Sequence, residues 1–437
     1  MTREEVKKAV CEAIEQNKEK LFAVGEKIFE NPELGFKETK TSNLVKEKFD
    51  ELGLGYEQGL AFTGIKARLK PPVKGEINVA VMGELDAVVC PLHPYANKET
   101  GAAHSCGHFA QITTMLGVAT GLKLSGAAEY LGGNVTFLAV PAEECVELDF
   151  RTDLIKQGKL NFLGGKQQLI TEGVFDDIDM AMIVHGAGNC NDGEVIAYSR
   201  SVGFIPKSVK FIGKEAHAGF APWDGANALN AASLALMAIN SMRETFKDSD
   251  CIRVHPVITK GGTLVNIVPN DVRMEMYVRG SSIEAIKDAN FKVNRAIKGA
   301  AYAVGVTAEI TDLPGYLPLL PDENLARVFS SNANYVLPNS KIIFTQDVDG
   351  ASTDAGDVAS IIPCIHGGMG GFSGNFHSKD FAVCDKDMAY IEPAKIMACT
   401  VVDLLFDNAE KAREIKSKYT RKLNHKEIWQ DILKFEE

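Results

Sequence analysis

Three short, largely apolar runs constrain this chain more than any other feature. They are "INVAVMGEL" (77–85), "NVTFLAVPAEE" (134–144) and "DMAMIVHG" (179–186). None alternates apolar with charged residues, so neither face of such a strand expects water. Strands buried on both faces belong to parallel sheets covered by helices. Helical patterns flank them. Val6, Val10 and Ile14, then Leu21, Val24 and Ile28, recur at helical spacing, and "AQITTMLGVATGLKL" reads as a further helix. Another is expected from Ser42 to Leu52, ending near Gly53. Strands alternating with helices predict an α/β fold with a mostly parallel central sheet. The polar residues that close the three runs fall at strand ends, where open α/β sheets place their sites.

The pattern changes near Ser199. "GFIPKSVKFIGKEAHA" and "LVNIVPNDVRMEMYVRG" alternate like half-exposed strands, and long helices are expected over 225–246 and 282–304. This β-α-β-β-α order predicts a smaller inserted α+β domain of ferredoxin-like type. The Pro-rich "DLPGYLPLLPDENL" (312–325) reads as the return link. The expected organisation is a discontinuous domain of residues 1–198 and 314–437 around an insert of 199–313. The charged tail from Glu410 predicts a solvated helix.

A length of 437 residues exceeds one ordinary core. A net charge of −11 without a basic stripe argues against nucleic acid or an anionic membrane as partner. No apolar run is long enough to span a bilayer, and the charged N-terminus does not read as a signal peptide. Nine scattered cysteines, an odd number, suit the reduced thiols of a cytoplasm.

The chemistry-bearing residues mean little singly and more together. Cys106 and His108, in "HSCGHFAQ", would on their own be a turn with a buried thiol and a hydrogen-bonded imidazole. Glu143 and Glu144 close an apolar strand, where adjacent acids are costly unless a cation neutralises them. Neighbouring residues point different ways, so one carboxylate can bind metal while the other faces the reacting water. His185 ends a buried strand and His377 lies in a Gly-rich loop; each is ordinary when taken alone. Together Cys106, His108, Glu144, His185 and His377 offer a sulfur, three imidazoles and a carboxylate. Five ligands exceed one tetrahedral zinc. They suit two divalent metals bridged by water, with Cys106 or Glu144 as a further bridge. Mixed S, N and O ligation permits Zn, Mn, Co or Ni. One rival reading makes Cys106 a nucleophile with His108 as base, but residues two apart rarely reach that geometry, and the paired acids would be idle. The other is a catalytically silent metal-binding protein, against which the intact Glu143 argues.

"GELDAVV", "HSCGH", "PAEE", "VHG", "GKEAHAGFAPWDGANAL", "NIVPNDVRMEMYVRG", "STDAGDVAS" and "NFHS" occur in an order that resembles the aminoacylase/carboxypeptidase-type di-metal hydrolases. The branch is the amidohydrolase one with hippurate hydrolases, indole-acetyl-amino-acid hydrolases and aminobenzoyl-glutamate hydrolases. "STDAGDV" is most similar to its aminobenzoyl-glutamate and β-alanyl-dipeptide side. The resemblance implies that Cys106 bridges, that His108 and His185 serve one metal, and that Glu144 and His377 serve the other. It makes Glu143 the general base and acid. Asp86, with Glu84, would orient a metal-binding His from outside the ligand set. His217 would stabilise the oxyanion from the partner subunit of a homodimer assembled through the inserted lid domain. Asn266 and Arg279, both expected on strands, are candidates for binding a substrate carboxylate. The implied activity is metal-dependent cleavage of the amide of an N-acyl amino acid or small dipeptide. Two departures stand out. Phe109 replaces an acid common in the branch, and "EECVELDFRTDLIKQGKLNFLGG" is longer and more acidic than the usual Gly-rich stretch.

Overall fold

The computed structural model describes residues 1–187, 193–420 and 424–433. The three apolar runs form adjacent strands of an eight-stranded sheet. Its order is Tyr56–Leu60, Gly64–Arg68, Gly133–Val140, Ile77–Glu84, Met180–Gly186, Cys364–Met369, Glu194–Ser201 and Lys341–Asp349. Gly133–Val140, Ile77–Glu84, Met180–Gly186 and Cys364–Met369 pair in parallel, and antiparallel strands flank them. Every residue of Ile77–Glu84 and Gly133–Val140 is buried.

The helix His108–Leu124 explains that burial. It is buried at every position from His108 to Leu122, so it has no polar face to offer water. It crosses the strand Ile77–Glu84 at Gly83, where a β-carbon would stand 2.8 Å from the Gln111 carbonyl oxygen. The six N-terminal apolar residues are buried on two helices, Arg3–Gln16 and Lys18–Phe29, and join the same core as Ile112, Met115 and Leu116. Each such large aliphatic side chain contributes roughly 1.5–3 kcal/mol on burial.

The chain divides into two compact units. The first comprises Met1–Arg200, Leu320–Asp347 and Asp357–Lys422; the second contains Ser201–Leu319 and Val348–Gly356. The terminal helix His425–Ile432 also belongs to the second. Residues 314–319, 348–356 and 424–433, expected in the larger domain, fall in the second unit, and Ser199 and Arg200, expected in the insert, fall in the first. The second unit has a β-α-β-β-β-α-β order around its two long helices, with a final strand, Thr307–Asp312, that the expected β-α-β-β-α order did not include. That strand pairs antiparallel with Gly203–Ile212, which also pairs with Asp271–Gly280. The helices Ala228–Ser241 and Ile283–Ala303 share a core with these strands. The tail is not simply solvated: Ile428, Trp429 and Ile432 are buried on one face of its last helix. Among the described residues no helix is long and apolar enough to cross a membrane.

Candidate metal centre

Cys106, Gly107 and His108 form the entry to the central helix. Gly107 caps it with φ of 94°, a left-handed conformation that only glycine adopts without strain. His108 donates from Nδ1 to both the Asp86 carbonyl oxygen (3.0 Å) and Asp86 Oδ1 (3.1 Å). Both partners are acceptors, so Nδ1 carries a proton, while Nε2 stands 3.1 Å from Glu84 Oε2 and faces the other donors. That Nε2 is buried and makes no hydrogen bond of acceptable geometry. His185 is fixed in the same sense, donating from Nδ1 to the Gly186 carbonyl at 2.6 Å, and its Nε2 stands 3.5 Å from Cys106 Sγ. His377 arrives from a distant loop tied down by its own N–H on the Ser105 carbonyl (2.8 Å). Its Nε2 lies 3.3 Å from Cys106 Sγ and 3.0 Å from Glu144 Oε1.

The paired carboxylates follow the strand Gly133–Val140 on an irregular turn. Ala142 has φ of 53°, a conformation that costs an L-residue roughly 1–2 kcal/mol. Glu38 Oε1 accepts the Ala142 N–H at 2.8 Å, and Asp86 Oδ2 accepts the Glu144 N–H at 2.8 Å. Asp86 therefore holds His108 with one oxygen and the backbone of Glu144 with the other. Glu143 has a carboxylate oxygen 3.8 Å from His108 Nε2. Glu84 is wholly buried, bonded by the Lys166 ammonium and by Gln111 Nε2 at 2.8 Å.

Donor atoms of Cys106, His108 and His185 lie within 4.8 Å of one another, as do those of Cys106, Glu144 and His377. A third set, Glu84, His108 and Glu143, is equally close. Within it, Glu84 is already ion-paired with the Lys166 ammonium. Cys106 is common to the first two sets. Burial, and then the charge of Glu144, push its thiol well above the ordinary range. Burial pulls His108 down, but Glu84 and Cys106 outweigh it and hold the imidazole well above its usual value. Glu144 is likewise raised by burial and lowered on balance by His377. Charges gathered this closely, with His108 Nε2 and Glu144 Oε1 left without a hydrogen bond of acceptable geometry, fit divalent cations.

The remaining residues expected at the site lie in the second unit. His217 is exposed, and its Nδ1 accepts the Phe220 N–H at 3.0 Å, so its proton sits on Nε2 as an available donor. Asn266 lies beside it through the Ala218 N–H to Asn266 carbonyl bond (2.9 Å), but in a turn rather than on a strand. The strand begins only at Asp271, because residues 261–266 are exposed and lack a buried face to pair. Arg279 is on that strand, half-buried, and donates to the Gly350 carbonyl at 3.1 Å. Phe109 packs against Phe29 with ring centroids 4.9 Å apart, so an aromatic cluster replaces the acid expected there. Sequence reasoning missed Glu38, Gln111 and Lys166. Gln111 lies in a run that reads only as a helix, and no motif singles out Glu38 or Lys166.

Thiol, imidazole and carboxylate donors at the carboxyl edge of a helix-covered parallel sheet, with a further carboxylate alongside, define a metal-dependent hydrolase of the peptidase and amidohydrolase class. Residues 80–401 match peptidase family M20/M25/M40, and the chain belongs to that family. It is 27% identical over 427 residues to the Xaa-Arg dipeptidase of Mus musculus, covering 92% of this chain and 90% of the mouse protein. It is 28% identical over 292 residues to the hippurate hydrolase of Campylobacter jejuni, covering 65% and 70% of the two chains. Among solved structures, a putative aminohydrolase from methicillin resistant Staphylococcus aureus superposes with a TM-score of 0.76 at 21% identity, over 91% of this chain and 99% of that one. A dinuclear metal binding peptidase of the M20 family from Bacillus subtilis superposes with a TM-score of 0.69 at 20% identity, over 90% and 99%. These two likenesses show the fold.

Proposed function

We propose that the chain hydrolyses the amide bond of N-acyl amino acids or small dipeptides with two divalent ions, Zn, Mn, Co or Ni. The convergence of two donor sets on one shared thiol, Cys106, carries this reading. His108 and His185 complete one set, and Glu144 and His377 the other. Bound ions would supply Lewis-acid polarisation of the amide carbonyl and acidify the attacking water. Glu143 takes the proton of that water and hands it to the leaving nitrogen. Glu143 is buried beside the donors without belonging to either set that shares Cys106, which supports a proton shuttle. Asp86 keeps the proton of His108 on the nitrogen turned away from the donors. His217 Nε2–H meets the developing oxyanion, and Arg279 with Asn266 receives the substrate carboxylate. A cysteine nucleophile is disfavoured, since it would leave the paired acids Glu143 and Glu144 idle.

The second unit also serves as a homodimer interface in this reading. Leu234 and Met237 on the helix Ala228–Ser241, and Val257 on a short strand, are exposed apolar residues suited to a two-fold contact. His217 would then act in the partner's site. Free thiols at the described cysteines are compatible with a reducing, cytoplasmic setting. The mouse and Campylobacter relatives are named for Xaa-Arg dipeptides and hippurate, which frames the substrate screen. Metal-reconstituted protein should release free amino acid from some member of a panel of N-acyl amino acids and dipeptides, and lose that activity to a chelator. Chelator-resistant turnover blocked by thiol alkylation would reverse the assignment.

A further inference from the structure

The unusual stretch after Glu144, "CVELDFRTDLIKQGKLNF", folds into the helix Leu148–Lys156. Its acids turn outward: Asp149 and Asp153 are exposed, and Glu147 bonds the Lys37 ammonium at 2.8 Å. Arg151 alone among the charged residues of that helix is fully buried. One of its guanidinium nitrogens donates to the Leu163 carbonyl at 2.6 Å, and another donates to the carbonyl of Glu144. The opposite side of the same turn is held by Glu38 on the Ala142 N–H. The loop that supplies Glu38 also makes room for Arg151. A β-carbon at Gly35 would stand 2.6 Å from Arg151 Nη2 and 2.8 Å from Ala142 Cα, and the Phe36 ring lies 5.2 Å from the guanidinium.

We infer that Arg151 and Glu38 are positioning residues that clamp the Ala142–Glu144 turn and so aim the two carboxylates in different directions. The turn needs such a clamp because Ala142 is left-handed and is not glycine, a conformation that persists only where its surroundings over-determine it. Buried side chains bonded to the main chain at both ends fix Glu144 toward Cys106 and His377 while Glu143 stays outside that donor set. The acidic appearance of the stretch in sequence is incidental to its inward-facing arginine. The inference rests on the proposed roles of Glu143 and Glu144, but the clamp can be read without them.

The test uses the full chain and the variants Arg151→Met, Arg151→Lys and Glu38→Ala. Two measurements are made: Zn2+ titration of metal-stripped protein by calorimetry, and hydrogen–deuterium exchange of the peptide spanning 141–147 without metal. The clamp predicts faster exchange confined to that peptide in Arg151→Met and Glu38→Ala. It also predicts that one of two Zn2+ ions binds at least about tenfold more weakly while the other is unchanged. Arg151→Lys, which keeps the charge and can reach a carbonyl, should recover part of both effects. Native exchange in all variants, or exchange and affinity loss spread evenly over the first unit, overturns the inference. If Arg151→Met does not fold, Arg151→Lys and Glu38→Ala decide by the same criteria. Should native protein bind no Zn2+, the metal reading falls, and the exchange data alone decide on the clamp.

Discussion

The two halves of the donor cluster are built differently. His108 opens a regular helix and Cys106 lies in the bend just before it: a glycine with φ of 94° caps that buried helix, and the aspartate after a buried strand accepts the His108 proton in a hydrogen bond. Glu143 and Glu144 sit on an irregular turn with alanine at φ of 53°, held by Glu38, Asp86 and Arg151 from separate parts of the chain. Where glycine relieves the backbone, local geometry places the donors. Where it does not, buried polar side chains must hold the main chain, and each of them needs hydrogen-bond partners.

Removing chemistry from the second half while sparing its geometry should have the largest effect. Glu143→Gln is expected to lower kcat by about a thousandfold with metal content unchanged, since only the proton shuttle is lost. Parallel kinetics and metal analysis check this, and near-native turnover would remove Glu143 from the mechanism. Asp86→Asn strikes both halves at once, because one oxygen serves His108 and the other the Glu144 N–H. Its Zn2+ affinity should fall roughly ten- to hundredfold in calorimetry. An unchanged affinity would mean that the two halves are not joined through Asp86.

The smallest effects concern backbone strain. Gly107→Ala should destabilise the fold by roughly 1–2 kcal/mol in denaturant titration, because the left-handed conformation there has no clamp. Ala142→Gly should change stability by less than about 1 kcal/mol, relief of strain offsetting the freer unfolded chain. If both substitutions cost the same, the contrast between the halves fails.

The same contrast explains what was readable in the sequence. The parallel strands and the donors at their ends follow from near-continuous apolar runs that stop at polar residues, a signal confined to a few neighbours. Gly107 lies between two candidate ligands and announces its own turn. Arg151 and Glu38 gave no such signal: no apolar run or motif singles either out, and their partners are fixed only when distant segments meet. Thr307–Asp312 escaped because none of its residues is fully buried, and Asn266 was placed on a strand that in fact starts at Asp271. The terminal helix read as solvated because its buried Ile428, Trp429 and Ile432 are interleaved with charges.

The sharing of Cys106 between two ions is the central claim. Metal content per chain, measured by elemental analysis after reconstitution with Zn2+ and desalting, tests it most directly in Cys106→Ala beside native protein. Loss of a donor common to both sets should leave native protein with about two ions and the variant with one or fewer. Two ions retained in the variant at native affinity would contradict a shared thiolate.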